Sequence, residues 1–196
     1  MIWRPHAPEV NECRGCVMKG VILNVFEDCV SREFGPDTWE ELLDEADLVG
    51  AYTSLGNYSD DEINVLLSAV ATRQGKTNGD ALRWFGESAM PILKERYPGL
   101  FANYASSRNF VLAVNTIIHP EVRKLYSGAN CPYFHFKETE NGSLFMGYES
   151  SRKMCDLAHG FIVGASKIWR EDVNITHHTC MNRDDDKCLM EIQWQR

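Results

Sequence analysis

The sequence predicts an α+β fold, an N-terminal helical subdomain followed by a C-terminal antiparallel sheet with one inserted helix, and three observations predict it. Up to Tyr126 the apolar residues recur at helical spacing through five successive segments. Beyond Tyr126, turn-rich links separate short runs of strand chemistry, beginning with a hairpin around Glu140-Asn141-Gly142. Between the two pairs of strands, Lys153 to Arg170 returns to helical spacing.

The 196 residues, 44% hydrophobic and 11% aromatic, suffice for one sizeable core, so residues 18–196 read as a single folded domain. Residues 1–17 carry two prolines, His6 and Cys13-x-x-Cys16 but no hydrophobic periodicity, and read as a poorly ordered extension. A lone cysteine pair with no second pair nearby is weak evidence for zinc or dithiol chemistry. A net charge of -8 and a pI near 5.2 supply no basic face to displace counterions, which excludes a nucleic-acid partner. No apolar run is long enough to span a bilayer or to form a secretory signal core, so the expectation is a soluble cytoplasmic protein with no membrane partner. Seven cysteines in such a chain point to metal or redox chemistry rather than a disulfide framework.

The elements follow in order. Val21, Ile22, Val25, Phe26, Cys29 and Val30 trace the apolar face of a first helix, closed near Gly35. Asp37 caps a short helix bearing Trp39, Leu42 and Leu43, and Ser59-Asp60-Asp61-Glu62 opens a helix through Gln74 that Gly75 stops. Asn78 opens the next, bent by Pro91 and broken at Tyr97-Pro98-Gly99. Arg108 to Tyr126 forms the last of the five, with Val111, Val114, Ile118, Val122 and Leu125 in one apolar stripe. His119 projects about a quarter turn from that stripe, aligned with Leu112, Asn115, Val122 and Tyr126, toward a second, more open cavity. Pro120 cannot donate to the Thr116 carbonyl, so a bend is expected at the histidine. Strands are expected at Tyr133–Glu138, Ser143–Ser150, Val173–Cys180 and Lys187–Trp194, the last two separated by the acidic turn Asn182 to Asp186.

Two readings of His119 stand side by side: a core histidine satisfied by a backbone carbonyl, and a neutral imidazole ligand to a metal or haem iron. Tyr148, Ser150 and Arg152, at alternate positions of an extended stretch, present a phenol, a hydroxyl and a guanidinium to one side. That trio suits carboxylates, although it also fits an ordinary polar strand face.

Taken with His119-Pro120 some thirty residues upstream, the Tyr148-x-Ser150-x-Arg152 motif resembles the signature of the haem nitric oxide and oxygen binding (H-NOX) family. The resemblance runs from Met18-Lys19-Gly20 to Trp194. It implies an α+β fold enclosing haem b (protohaem IX), with His119 as proximal iron ligand and Tyr148, Ser150 and Arg152 on the propionates. Pro132 would press on the porphyrin and distort it. Members that hold oxygen stably use a tyrosine on the helix after the motif; the aligned position here is Leu157. Ile22, Phe26 and Phe161 complete an apolar distal wall, so the resemblance implies binding of nitric oxide and carbon monoxide but not oxygen.

Cys155, His177, Cys180 and Cys188 suggest a second site, since thiolates and an imidazole are ligands zinc prefers and four of them close a structural tetrahedron. His178 competes with His177, and incidental buried cysteines are the plainer alternative; a subset of bacterial H-NOX proteins carries the same four-residue pattern. The functional expectation is a gas sensor, not an enzyme. Nitric oxide would weaken the iron–His119 bond and leave five-coordinate nitrosyl haem, shifting the helices against the sheet. With the chain ending at Arg196, output is expected through a separate protein, for stand-alone bacterial relatives a histidine kinase or a cyclic-di-GMP synthase or phosphodiesterase. The rivals are a peroxidase-like haem enzyme, which needs a distal acid–base group, and a zinc-thiolate redox sensor. His159, two residues beyond Leu157, is expected to point elsewhere.

Overall fold

The structure, a computed structural model, describes residues 17–195. The expected extension and Cys13-x-x-Cys16 lie outside the described residues, save Val17, which opens the first strand rather than ending a disordered arm. Strand β1 (Val17–Lys19) pairs antiparallel with β2 (Asn57–Ser59), Met18 opposite Tyr58. Three-residue strands carry too little alternation to be read from sequence, and neither was expected. The ribbon fixes the start of α1 (Gly20–Phe34): the Gly20 N–H donates to the Gly56 carbonyl at 3.0 Å. A Cβ at Gly20 would lie 2.0 Å from the Thr53 carbonyl oxygen, so only glycine fits there.

Helices α2 (Thr38–Glu45), α3 (Asp60–Gln74) and α4 (Asn78–Arg96) pack against α1 around Phe26, whose ring meets Phe85 at 4.8 Å and Trp39 at 5.9 Å, both edge-on. Ser59 caps α3 and Gly75 ends it in the left-handed region, as its sequence predicts. One cap differs from expectation, since Asp37 makes no capping hydrogen bond; α4 opens at Asn78 as expected, preceded by Thr77, whose hydroxyl forms a reciprocal capping box with Asp80.

The segment from Arg108 to Tyr126 is not one helix. It divides into α5 (Ser107–Leu112), a π turn (Val114–Ile118) and α6 (His119–Leu125). In the π turn the Ile118 N–H reaches five residues back to the Ala113 carbonyl at 3.2 Å. Pro120 removes the donor that would tighten this turn, so the expected bend takes the form of a widened turn ending at His119. Leu125, expected on the buried stripe, is 52% exposed.

The C-terminal part is a four-stranded antiparallel sheet, ordered β3 (Tyr133–Glu138), β4 (Leu144–Glu149), β6 (Cys188–Trp194) and β5 (Val173–Thr179). Met146 faces Met190 across the β4–β6 pair, and both are buried in a cluster with Ala158 and Ile162 of α7 (Cys155–Ile168). On its other side α7 lies closely against α4. A Cβ at Gly160 would meet the Arg83 carbonyl oxygen at 2.1 Å, and one at Gly86 the Leu157 carbonyl oxygen at 2.5 Å. These glycines let the two backbones touch, joining the helical half to the sheet half.

Candidate functional site

One cavity of about 280 Å³ lies between the two halves. His119, Val111, Val114, Ile118 and Val122 of the α5–α6 segment, Ile22 of α1, and Leu157 and Phe161 of α7 all line it. The apolar stripe and His119 therefore share one cavity instead of facing two. Phe26, expected on its wall, lies in the aromatic core of the helical half and is not among the lining residues. Both lie on α1; Ile22 reaches the cavity, whereas the Phe26 ring packs edge-on among Trp39, Trp84 and Phe85.

Burial, with help from Arg123 one turn on, pulls the His119 imidazole down to about 4, against a hydrogen bond to the Pro132 backbone that raises it. The ring is neutral at physiological pH. Its Nδ1 is buried with no hydrogen-bond partner among the described residues. The Phe134 ring stands 5.8 Å away, and Pro132 lines the same wall.

Tyr148, Ser150 and Arg152 do not share a strand face, because β4 ends at Glu149 and Ser150 begins a turn in which Lys153 takes a positive φ of 53°. Tyr148 remains on the strand, 5% exposed, and its phenol oxygen accepts the Met154 N–H at 3.1 Å with the Ser150 hydroxyl beside it. The turn carries Arg152 to the cavity, but Ser150 is not among the lining residues. The Arg152 guanidinium forks onto Asp60 at 2.7 and 2.6 Å, with side-chain exposures of only 9% and 12%. Sequence reasoning missed Asp60 as a partner because ninety-two residues separate the two.

Leu157 is 9% exposed, and neither it, Ile22 nor Phe161 bears a hydrogen-bond donor on its side chain. His159 points away from the cavity, its Nδ1 3.0 Å from His177 Nε2. The remaining cavity hydroxyls, Tyr97 and Tyr126, hydrogen-bond to each other.

A second cluster lies at the start of α7. Ligating atoms of Cys155, His177 and Cys180 fall within 4.8 Å of one another, and the Cys155 and Cys180 sulfurs are 3.4 Å apart. Two thiolates on one tetrahedral zinc stand about 3.8 Å apart, from Zn–S bonds of about 2.3 Å. Cys188, opposite Tyr148 on the neighbouring strand, hydrogen-bonds with Cys155 and accepts the Met181 N–H at 3.3 Å. The bond from Cys155 pulls its thiol down to about 6 and pushes the Cys155 thiol upward. His178 turns outward to Glu191 at 2.9 Å, so His177 is the imidazole at the cluster. The fold and cavity define a domain with an apolar pocket, a neutral imidazole in its wall and a guanidinium at its edge.

The family model described as haem-NO-binding matches residues 19–177. The chain belongs to this family, whose H-NOX domains bind haem and serve as gas sensors rather than catalysts. Among solved structures it is similar to an H-NOX protein from S. oneidensis in the Fe(II)NO ligation state, at 29% identity and a TM-score of 0.85, covering 91% of this chain and 100% of that one. It is similar to the Fe(II) unliganded H-NOX protein from K. algicida at 28% identity and a TM-score of 0.80, covering 91% of this chain and 97% of that one. An oxygen-binding H-NOX domain related to soluble guanylate cyclases, in its oxygen complex, matches at 25% identity and a TM-score of 0.75, covering 91% and 96%.

Proposed function

We propose that this chain is a nitric oxide sensor that holds protohaem IX through His119, with Tyr148, Ser150 and Arg152 receiving the propionates. The observation that carries this reading is the His119 imidazole, neutral and with a buried unpartnered nitrogen, in the wall of an apolar cavity with Arg152 at its edge. A buried polar atom without a partner is costly, and a neutral imidazole has a lone pair to give a metal. Bound ferrous haem supplies an iron that takes up diatomic gases; the chain supplies its grip, its surroundings and its selectivity. Arg152, held in place by Asp60, offers positive charge to a carboxylate. Pro132, in the same cavity wall as His119, would press on a bound macrocycle.

Ile22, Leu157 and Phe161 form the distal wall and donate nothing to a bound gas. Phe26 supports that wall from within the helical core rather than touching the ligand. Bound dioxygen is polar and needs a hydrogen bond for stable retention, whereas nitric oxide and carbon monoxide do not, so the pocket selects the latter two. With His159 turned toward His177, the wall also lacks the acid–base group a peroxidase needs. Cys155, His177 and Cys180, with Cys188 beside Cys155 as the fourth thiolate, would hold a structural Zn²⁺ and tie the start of α7 to β5 and β6. The signal passes to a partner, a histidine kinase or a cyclic-di-GMP synthase or phosphodiesterase, through movement of the helical half against the sheet. Among the described residues no helix is long and apolar enough to cross a membrane.

Replacing His119 with Gly tests the ligand assignment. The variant is expected to lose its pigment on purification and to regain it when imidazole is supplied throughout. Retention of haem by His119→Gly without imidazole would overturn the assignment.

A further inference from the structure

Asn115 sits in the π turn, four residues before His119, and its side chain makes two hydrogen bonds to one backbone residue of the sheet. Its amide nitrogen donates to the Phe134 carbonyl at 2.6 Å, and its amide oxygen accepts the Phe134 N–H at 3.1 Å. Strand β3 is an edge of the sheet, so its outward backbone groups have no strand to pair with. A carboxamide presents a donor and an acceptor side by side as a peptide does, and Asn115 pairs with Phe134 as a neighbouring strand would. The same Phe134 places its ring 5.8 Å from the His119 ring.

We infer that Asn115 is a positioning residue for His119: its double hydrogen bond registers the π turn against β3 and thereby sets the angle at which the imidazole enters the cavity. This rests on the reading of His119 as the iron ligand. A π turn is wider and less restrained than an α turn, and Pro120 removes a further backbone bond from this one. Within the turn only Ile118 is fully buried and only Val114 packs half-buried against the sheet cluster, so apolar contact with the sheet leaves the turn lightly restrained. The Asn115 amide supplies the restraint and leaves no buried donor or acceptor of its own unpaired. A carboxylate of the same shape would accept from the Phe134 N–H but leave the Phe134 carbonyl without a donor.

The test uses ferrous haem-loaded protein, wild type beside Asn115→Ala, Asn115→Asp and Asn115→Gln. Amide exchange of Phe134 is followed by NMR in the carbon monoxide complex, and the iron–histidine stretching band by resonance Raman in the unliganded state. Ala is expected to speed Phe134 exchange about tenfold, the factor one net hydrogen bond supplies, whereas Asp, which still accepts the Phe134 N–H, should leave that amide protected. Both should displace or broaden the stretching band, with Gln restoring it in part. Faster exchange with the band unmoved would overturn the inference, since the clamp would then serve the sheet edge alone. If neither Ala nor Asp folds, the wild type decides: a Phe134 amide that exchanges as fast as the outward N–H groups of β3 that lack a partner contradicts the clamp. Failure of the underlying reading looks different: the wild-type band is missing, or it survives His119→Gly, while Phe134 stays protected.

Discussion

His119 is a buried histidine whose surroundings disfavour its charge and leave one ring nitrogen without a partner. Burial holds it neutral, Arg123 adds to that, and Nδ1 lacks a partner among the described residues. At the same scale, the proposed gas selectivity rests on Leu157. A hydroxyl there would give bound dioxygen one hydrogen bond worth about 1–1.5 kcal/mol, or roughly tenfold in retention. Leu157→Tyr is therefore expected to show an oxygen complex in air that the unaltered protein lacks, followed by stopped-flow absorption. No complex at any oxygen pressure would mean that the distal wall excludes oxygen by shape and not by want of a donor. The oxygen-binding relative shares this fold, so the proposed difference in selectivity would lie in individual side chains. The Pro120-bent helix singles out His119 in the sequence, as does, with Leu157, the family resemblance; of the four metal-site candidates picked by residue type and spacing, Cys155, His177 and Cys180 come together. The Asp60–Arg152 pair and the Asn115–Phe134 clamp were not legible, because each joins residues that only the tertiary fold brings together.

Among elements, the contact of α4 with α7 is the tightest joint between the two halves. Gly160→Ala would drive a methyl group to 2.1 Å from a backbone oxygen that cannot step aside. The expected cost is about 3 kcal/mol, or about 6–12 °C in melting temperature for a domain of this size. A loss within 1 °C, read by circular dichroism, would show that the helices separate readily. Helix α7 is also held at its start by the thiol cluster, and that cluster touches the cavity through two short links. Cys188 lies opposite Tyr148, and Cys155 follows Met154, whose N–H the Tyr148 phenol accepts. On the proposed zinc site, a chelator should lower the melting temperature by at least about 5 °C, because energy of metal binding would be folding energy. It should also shift the haem absorption band slightly. Metal analysis that finds no zinc in freshly purified protein would remove this staple from the account. Periodicity located helices α1 to α4, α7 and strands β3 to β6, yet it read α5, the π turn and α6 as one helix. A π turn inserts one residue without disturbing the composition, so the apolar stripe continues across it. The β1–β2 ribbon was invisible for the opposite reason, since three residues contain too little pattern.

Across the whole molecule, the helical and sheet halves close on one cavity and meet at its edge through Asp60 on α3 and Arg152 after β4. Removing one member of so buried a pair strands the other charge, so Asp60→Asn should cost about 3 kcal/mol in urea unfolding of haem-free protein. With haem bound the loss should be smaller, because a propionate can take the place of the carboxylate on Arg152. Equal losses in both forms would argue against Arg152 as a propionate partner. A pocket divided between two halves suits a sensor, since a ligand that alters its hold on His119 moves one half against the other. The central claim meets its most direct test in the absorption spectrum of the reduced protein, taken first without gas, then in air, then with nitric oxide. The account predicts a ferrous haem spectrum in which air produces no oxygen complex and nitric oxide produces a five-coordinate complex. A stable oxygen complex, a six-coordinate nitric oxide complex that persists, or protein with no pigment after expression with ample haem would contradict it.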